Sequence, residues 1–469
     1  MVPPRAWPGE VRGLDSREVA VRRVVVIGGG LAGLASAVWL AEQGDRVTLV
    51  ERRGRLGGRT LGFPLAEAGG EMVDNGQHVI AGSYRHLLRY LGSVGTREHV
   101  EFPRSFGVRA AGAPPATLGT GVRDMLGLWT GGVPGIGFGD LARSVVPHLR
   151  MLVAAVRPGA RLDEMTVEEW LERIGMPQAL RRMLWRPAAL GVLNEEPGRA
   201  SAHALASALA VGCRRALRQG RRAFAIGYPT VDLRTLYVTG AEKVFAERDV
   251  EVRLRARAVR VEVRGGRARG VGLADGEVIP ADAVIVAVPA WDAGGLLDLL
   301  PGAAEIGAAA RELVPIPIVS VNLYLDRPIG MTHPWETLLD GDVHWVFDRT
   351  RMHGRRSEAG HLYALTTCAA YDLIGLRAPE VVERCVASLR ALYPEARDAR
   401  VVHAHVVPWR KATFSSRPGT GAVRPGQRTA VEGLALAGDW TRNDWPTTME
   451  GAVQSAALAI RALRGVSGP

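Results

Sequence analysis

Along the chain the spacing of apolar residues switches between strand-like and helical periods, and each switch marks an element. Val24, Val25, Val26 and Ile27 form a continuous β-branched run, the pattern of a strand buried on both faces. Glycines follow, so the chain turns sharply. The pattern from Leu31 to Gln43 then predicts a helix ending at Gly44, and Arg46–Val50 predicts a second strand. Residues 86–224 carry helical patterns separated by Gly and Pro. The segment 141–156 is apolar with sparse charge, 166–175 opens with Thr166 and Glu169 at capping-box spacing, and 177–194 carries Trp185 and Arg186. Most single residues of these stripes are read as helix packing. From 252 the pattern returns to strands, with hairpins signalled by Gly265-Gly266 and Asp275-Gly276 and a buried strand over Ala283–Val288. "PIPIVSVNLYLD" (315–326) reads as a further strand. The stretch 433–463 reads as a strand, a Gly-Asp turn, a loop and a helix starting near Thr448.

The first turn carries chemistry. Gly28 and Gly30 permit the tight turn and let backbone approach a pyrophosphate, and Gly33 lets the helix pack against the strand. Unpaired N–H groups around Leu31 and Ala32 face the phosphates. Glu51, closing the second strand, is placed to accept hydrogen bonds from a ribose, with Arg52 beside it. Strand, glycines, helix and acid together predict a dinucleotide site.

The chain has 469 residues, 47% hydrophobic and 23% charged, enough for two interleaved domains. The formal charge is +11, which suits an anionic surface. Lys243 and Lys411 are its only lysines, so the arginine preference also reads as genomic base composition. "RRALRQGRR" (214–222) would serve a non-enzymatic basic module on nucleic acid or lipid, but such a run is usually a solvated face, and no nucleic-acid partner is expected. No apolar run approaches the roughly 18 residues of a membrane span. Residues 1–20 lack an apolar core and read as a disordered extension. Cys213, Cys368 and Cys385 form no CxxC pair, which predicts no disulfide framework, no metal site and a reducing cytoplasm.

Arg55-Leu56-Gly57-Gly58-Arg59-Thr60, directly after the acidic residue, resembles the flavoprotein group of amine oxidases, protoporphyrinogen oxidases and phytoene desaturases. The resemblance implies non-covalent FAD. Gly57 and Gly58 would bring backbone to its diphosphate, Arg59 would add charge, and Thr60 would follow in the same turn. It also implies a backbone contact near Val259 to the adenine, and Gly438 and Asp439 near the ribityl chain. Thr448, Met449, Glu450 and Ala452 would stand beside the isoalloxazine at a helix N-terminus. The fold it implies is α/β, with a glutathione-reductase-like, Rossmann-type FAD domain interleaved with a substrate domain of mixed sheet plus helices. The FAD domain is expected over 21–85, 225–300 and 403–469, the substrate domain over 86–224 and 301–402.

Asp74-Asn75-Gly76-Gln77-His78, "LWRPAALGVLNEEPGRASA" (184–202), "WVFDR" (345–349) and "KATFSSRPG" (411–419) are similar to the hydroxysqualene dehydroxylase family. One departure is the bulky Trp445 in "NDWPTTMEGA", set to reshape the flavin pocket. The resemblance implies reductive removal of the hydroxyl of a C30 polyprenyl alcohol to give squalene, in hopanoid or other triterpene formation. An allylic hydroxyl needs a proton to leave, and the carbon left behind needs a hydride. His78 is the candidate acid, because a pKa near 6.5 makes both its states accessible; an orienting role for His78 stands beside that reading. Glu450 is the other candidate acid. Asn75, Gly76 and Gln77 are read as holding loop and flavin. The remaining glycine clusters lack the spacing of a second dinucleotide site, so an external reductant is expected. The rivals are a carotenoid-type desaturase running the flavin in the opposite direction and an amine oxidase with Trp440 and Trp445 as an aromatic cage. A C30 substrate further implies peripheral attachment to the inner face of the cell membrane, through apolar stretches around Val145–Val156 and arginines 181, 182, 186, 214, 215, 218, 221 and 222.

Overall fold

A computed structural model describes residues 21–465 apart from 120–134, 157–159, 299, 301 and 355–356; the expected extension 1–20 lies outside them. One sheet is parallel, in the order β5 (Glu251–Leu254), β2 (Arg46–Glu51), β1 (Arg23–Ile27), β6 (Ala283–Val286), β12 (Leu434–Leu436). Both faces are covered, which is why β1 and β6 read as unbroken apolar runs. Val24, Val26 and Ile285 enter one core, Val25, Ile27, Val284 and Val286 the other. Helix α1 (Leu31–Glu42) connects β1 to β2 and packs on the C-terminal helix α6 (Met449–Leu463). An antiparallel meander, Ala258–Arg264, Arg267–Leu273 and Val278–Pro280, leads back into β6.

The second sheet has seven strands, in the order β11 (Val401–Phe414), β7 (Pro315–Leu325), β10 (His361–Thr367), β9 (Trp345–Asp348), β8 (Trp335–Leu338), β3 (Ser105–Arg109), β4 (Ala116–Gly119). Its strand β7 shows the period of two. Val319, Val321, Leu323 and Leu325 pack under the helix Ala378–Leu392, while Ile318, Ser320, Asn322 and Tyr324 face the other way.

Two boundaries move. Strand β11 pairs with β7 along its length, so the second sheet extends to Phe414 and the division at 402/403 falls inside it. Helix α2 (Arg85–Ser93) buries Leu87, Tyr90 and Leu91 among Leu34 and Val38 of α1, so it belongs to the dinucleotide core and not to the substrate region. In both cases the deciding partner lies far away in sequence.

The helical region contains α3 (Phe138–Val156), a helix Val167–Arg173 capped by the Thr166/Glu169 box, α4 (Arg186–Leu193) and α5 (Ala202–Gln219). Helix α3 is apolar on two sides. Leu141, Pro147, Met151 and Ala155 face the core, whereas Val145, Val146, Leu149, Leu152, Val153 and Val156 are exposed. Among the described residues no helix is long and apolar enough to cross a membrane.

Candidate active site

A cavity of about 930 Å³ is bordered by the carboxyl ends of β1 and β2, the start of α6 and one face of the seven-stranded sheet. Its glycines show what it is built to hold. Gly28 has φ of +109°, and a Cβ on Gly33 would lie 1.7 Å from the Gly28 carbonyl oxygen, so helix and turn close only without side chains there. A Cβ on Gly30 would meet nothing nearer than Gly58 Cα at 3.9 Å and would project into the cavity. On Gly58, at φ +59°, it would approach Gly30 Cα to 2.8 Å. The two glycine turns thus touch and leave a backbone-lined cradle. Helix α1 begins at this cradle with no side-chain cap and no acidic residue in its first turn. Its free N–H groups and partial positive charge suit a diphosphate. Glu51 faces the same cradle, its oxygens held by the Gly29 and Arg53 amides, each at 2.8 Å. These residues fit FAD.

On the opposite wall the chain passes through Gly438, at φ +137°, to Asp439. Asp439 accepts from Arg59 at 2.5 and 2.9 Å and from Thr447 at 2.6 Å. Burial is the strongest influence on this carboxyl and favours its neutral form, but Arg59, Thr447 and Arg424 outweigh it and hold the pKa below the usual range. The charge of Arg59 is therefore matched inside the protein. Thr448 caps α6 by accepting from the Gly451 amide at 3.1 Å, and Met449 and Ala452 border the cavity.

Of the residues singled out for the cofactor, all but Gly33 and Glu450 border this cavity. Gly33 acts in packing, as its geometry shows. Glu450 has to be reassigned. Its carboxylate is fully buried and caps α2, accepting from the amides of His86 and Leu87 at 3.1 and 2.8 Å, from His86 Nδ1 at 3.0 Å and from Arg215 at 3.3 Å. The helix puts residue 450 on the side away from residues 449 and 452, and it does not line the cavity.

The Asp74–His78 stretch is fastened from below. Arg349, of the 345–349 stretch, bonds both Asp74 and Gln77, and all three are buried. Burial raises the Asp74 pKa, with Arg349 opposing the rise. Asp74 also takes the Leu233 amide at 2.9 Å, and Asn322 donates to its carbonyl at 3.0 Å. Asn75 accepts from the Leu61 amide and donates to the Arg59 carbonyl. His78 borders the cavity, its Nδ1 without a partner among the described residues, and burial pushes its pKa down to about 4.

Away from the cradle the lining turns apolar and aromatic, with Phe106 stacked on Trp335 at 4.4 Å beside Phe347, Trp345, Met183 and Leu184. Trp445 does not intrude. It packs edge-on against Tyr84 at 5.1 Å and among Ala208 and Val211 of α5. Trp440 is buried with its indole N–H on the Val288 carbonyl, so these two residues form no amine cage.

Sequence reasoning missed the clamp by Arg349 and the role of Arg424. The latter donates to the carbonyls of Trp445, Asp439 and Thr441 and is pushed down to about 10 by burial. Arg349 lies in the 345–349 stretch already singled out, but its partners could not be read from it, and nothing local separates Arg424 from surface arginines. Ser320 and Asn322 did leave a signal, two polar residues at i and i+2 in an apolar strand.

Residues 31–463 match the family described as flavin containing amine oxidoreductase, and the chain belongs to it. It is 28% identical over 448 residues to hydroxysqualene dehydroxylase of Sinorhizobium fredii, a match covering 93% of this chain and 97% of that protein. It is 24% identical over 489 residues to the 15-cis-phytoene desaturase of Narcissus pseudonarcissus, covering 98% and 81%. Cyclohexylamine oxidase from Brevibacterium oxydans has the same fold, with a TM-score of 0.70 at 19% identity, covering 95% of this chain and 99% of that one. The protein is a flavin-dependent oxidoreductase that uses FAD.

Proposed function

We propose that this enzyme reductively removes the hydroxyl of hydroxysqualene to give squalene. The observation that carries the reading is the meeting of the 74–78 and 345–349 stretches at the cavity, where Arg349 locks Asp74 and Gln77 and leaves His78 on the wall. FAD, when bound and reduced by an external donor, supplies the hydride. The chain's own residues position the alcohol, exclude water and deliver a proton to the departing oxygen. The aromatic wall accepts a polyprenyl chain. His78 is neutral near pH 7, so as proton donor it must be recharged from solvent at each turnover; as an orienting group it needs only the neutral ring.

Anaerobic incubation of photoreduced enzyme with hydroxysqualene, and separately with phytoene, tests the reading by product mass. Squalene from the first supports it; a third incubation, of phytoene with the oxidised enzyme, supports a desaturase instead if it gives a more unsaturated product. If His78 is the donor, His78→Ala retains FAD and loses about 10²-fold in turnover, and wild-type turnover rises as pH falls toward 4.

Peripheral attachment to the inner face of the cell membrane is part of the same proposal. The exposed apolar face of α3 supports it, because α3 packs on Gln178–Leu180, just ahead of Met183 and Leu184 of the cavity wall. Arg181 pairs with Glu168 and Glu172, Arg182 with Asp340, Arg186 with Glu196, and Arg215 with Glu450. Arg214 and Arg222 are exposed, while the side chains of Arg218 and Arg221 lie outside the description.

A further inference from the structure

Strand pairing brings two hydroxyls together on the cavity face of the seven-stranded sheet. Ser320 of β7 stands directly opposite Thr366 of β10, Thr366 opposite Trp345 of β9, and Trp345 opposite Thr337 of β8. Residues paired in this way point to the same face, and all four border the cavity. Ser320 and Thr366 are 2% and 7% exposed, and among the described residues neither hydroxyl has a hydrogen-bond partner, not even the other. A buried hydroxyl left unpaired is destabilising, so this arrangement calls for a ligand atom that accepts or donates.

Two further observations say which kind of ligand. A Cβ on Gly76 would lie 2.8 Å from Ser320 Oγ, so the hydroxyl sits against the turn that leads to His78. The next row of the sheet is aromatic and apolar from β8 to β10, with Trp335 opposite Phe347 and Phe347 opposite Ala364, and ends on β7 at Asn322, whose amide is spent on the Asp74 carbonyl. Thr366 is one strand farther than Ser320 from β11, whose Ala412 carbonyl takes Arg59 of the FAD cradle. The pair thus lies between the cofactor cradle and the aromatic wall, where a single oxygen on a long apolar chain would come to rest.

We infer that Ser320 and Thr366 are the specificity-determining pair that binds the substrate's oxygen, so that the site selects a mono-oxygenated polyprenyl chain over the corresponding hydrocarbon. The inference deepens the proposed dehydroxylation and rests on it for the substrate class. It has a functional consequence. The hydrocarbon product leaves both hydroxyls unpaired, so the same pair that holds the alcohol weakens the hold on what the reaction makes.

The test is a binding titration of the oxidised holoenzyme, which reads recognition without turnover. Hydroxysqualene and squalene, which differ by one hydroxyl, are compared by tryptophan fluorescence and flavin absorbance. The wild type should favour the alcohol by about tenfold or more, and Ser320→Ala and Thr366→Val should each lower that preference about 3- to 10-fold. Squalene affinity, FAD content and melting temperature should hold or rise, because each variant removes a hydroxyl that no described residue bonds. Equal binding of both ligands by the wild type would overturn the inference. So would variants that lose alcohol and hydrocarbon alike, or that lose FAD, which would assign the hydroxyls to the cofactor. A wild type that prefers the alcohol but never reduces it would overturn the proposed reaction and leave the pair's role standing.

Discussion

At Gly30 and Gly33 the same residue type serves two different needs, and the two substitutions separate them. Gly30→Val places its side chain in the cavity and not against protein, so the variant should fold and lose FAD, checked by flavin content against melting temperature. Gly33→Ala drives a methyl into the Gly28 carbonyl at 1.7 Å, so helix and turn must separate and the protein itself should be destabilised. Glu450 gives the complementary case. Glu450→Ala leaves two amides at the start of α2 without their acceptor and Arg215 without its buried counter-charge, and should cost about 2–4 kcal/mol in denaturant unfolding. Turnover per bound flavin should hold. A loss of turnover at full flavin occupancy would return Glu450 to the chemistry.

At the scale of elements, the loop 74–78 is only as rigid as its clamp. Arg349→Met leaves Asp74 buried without its counter-charge, so it should destabilise by about 3–5 kcal/mol. Asp74→Asn in the same chain should recover part of that, and a double-mutant cycle measures the coupling. Helix α3 makes the opposite prediction. Leu149 and Val153 are 57% and 70% exposed, so changing both to Asp should alter stability in solution by less than about 1 kcal/mol. Sedimentation with anionic liposomes should nonetheless fall sharply. Binding that survives the double change would place the membrane contact elsewhere.

The molecule as a whole should lose stability below neutrality, and His344 is one identifiable reason. It is buried, its Nδ1 accepts from the Cys368 amide, and burial with Arg186 nearby pushes its pKa down to about 4. Its pKa is lower folded than unfolded, so the unfolded chain binds the extra proton first. This contribution is complete above about pH 6.5 and is lost as pH falls toward 4; at its fullest it is on the order of 3 kcal/mol. Unfolding curves at pH 7 and pH 5 should show the difference, and His344→Gln should flatten it.

What the sequence alone determined was whatever depends on neighbours along the chain. The run 24–27, the glycines at 28, 30 and 33, Glu51, the Thr166/Glu169 cap and the start of α6 were legible because turns, caps and periods are made within a few residues. The tertiary structure decided the rest, because it depended on which distant segment came alongside. Glu450 looked like a flavin-site acid until α2, some 360 residues earlier, proved to use its carboxylate. Trp445 looked obstructive until α5 offered it a pocket, and three of the arginines read as a lipid-facing cluster, Arg181, Arg182 and Arg186, pair with carboxylates. Ser320 and Thr366 became a pair only through the register of β7 on β10, since a side chain's face and its cross-strand neighbour are set by pairing and not by the residues beside it.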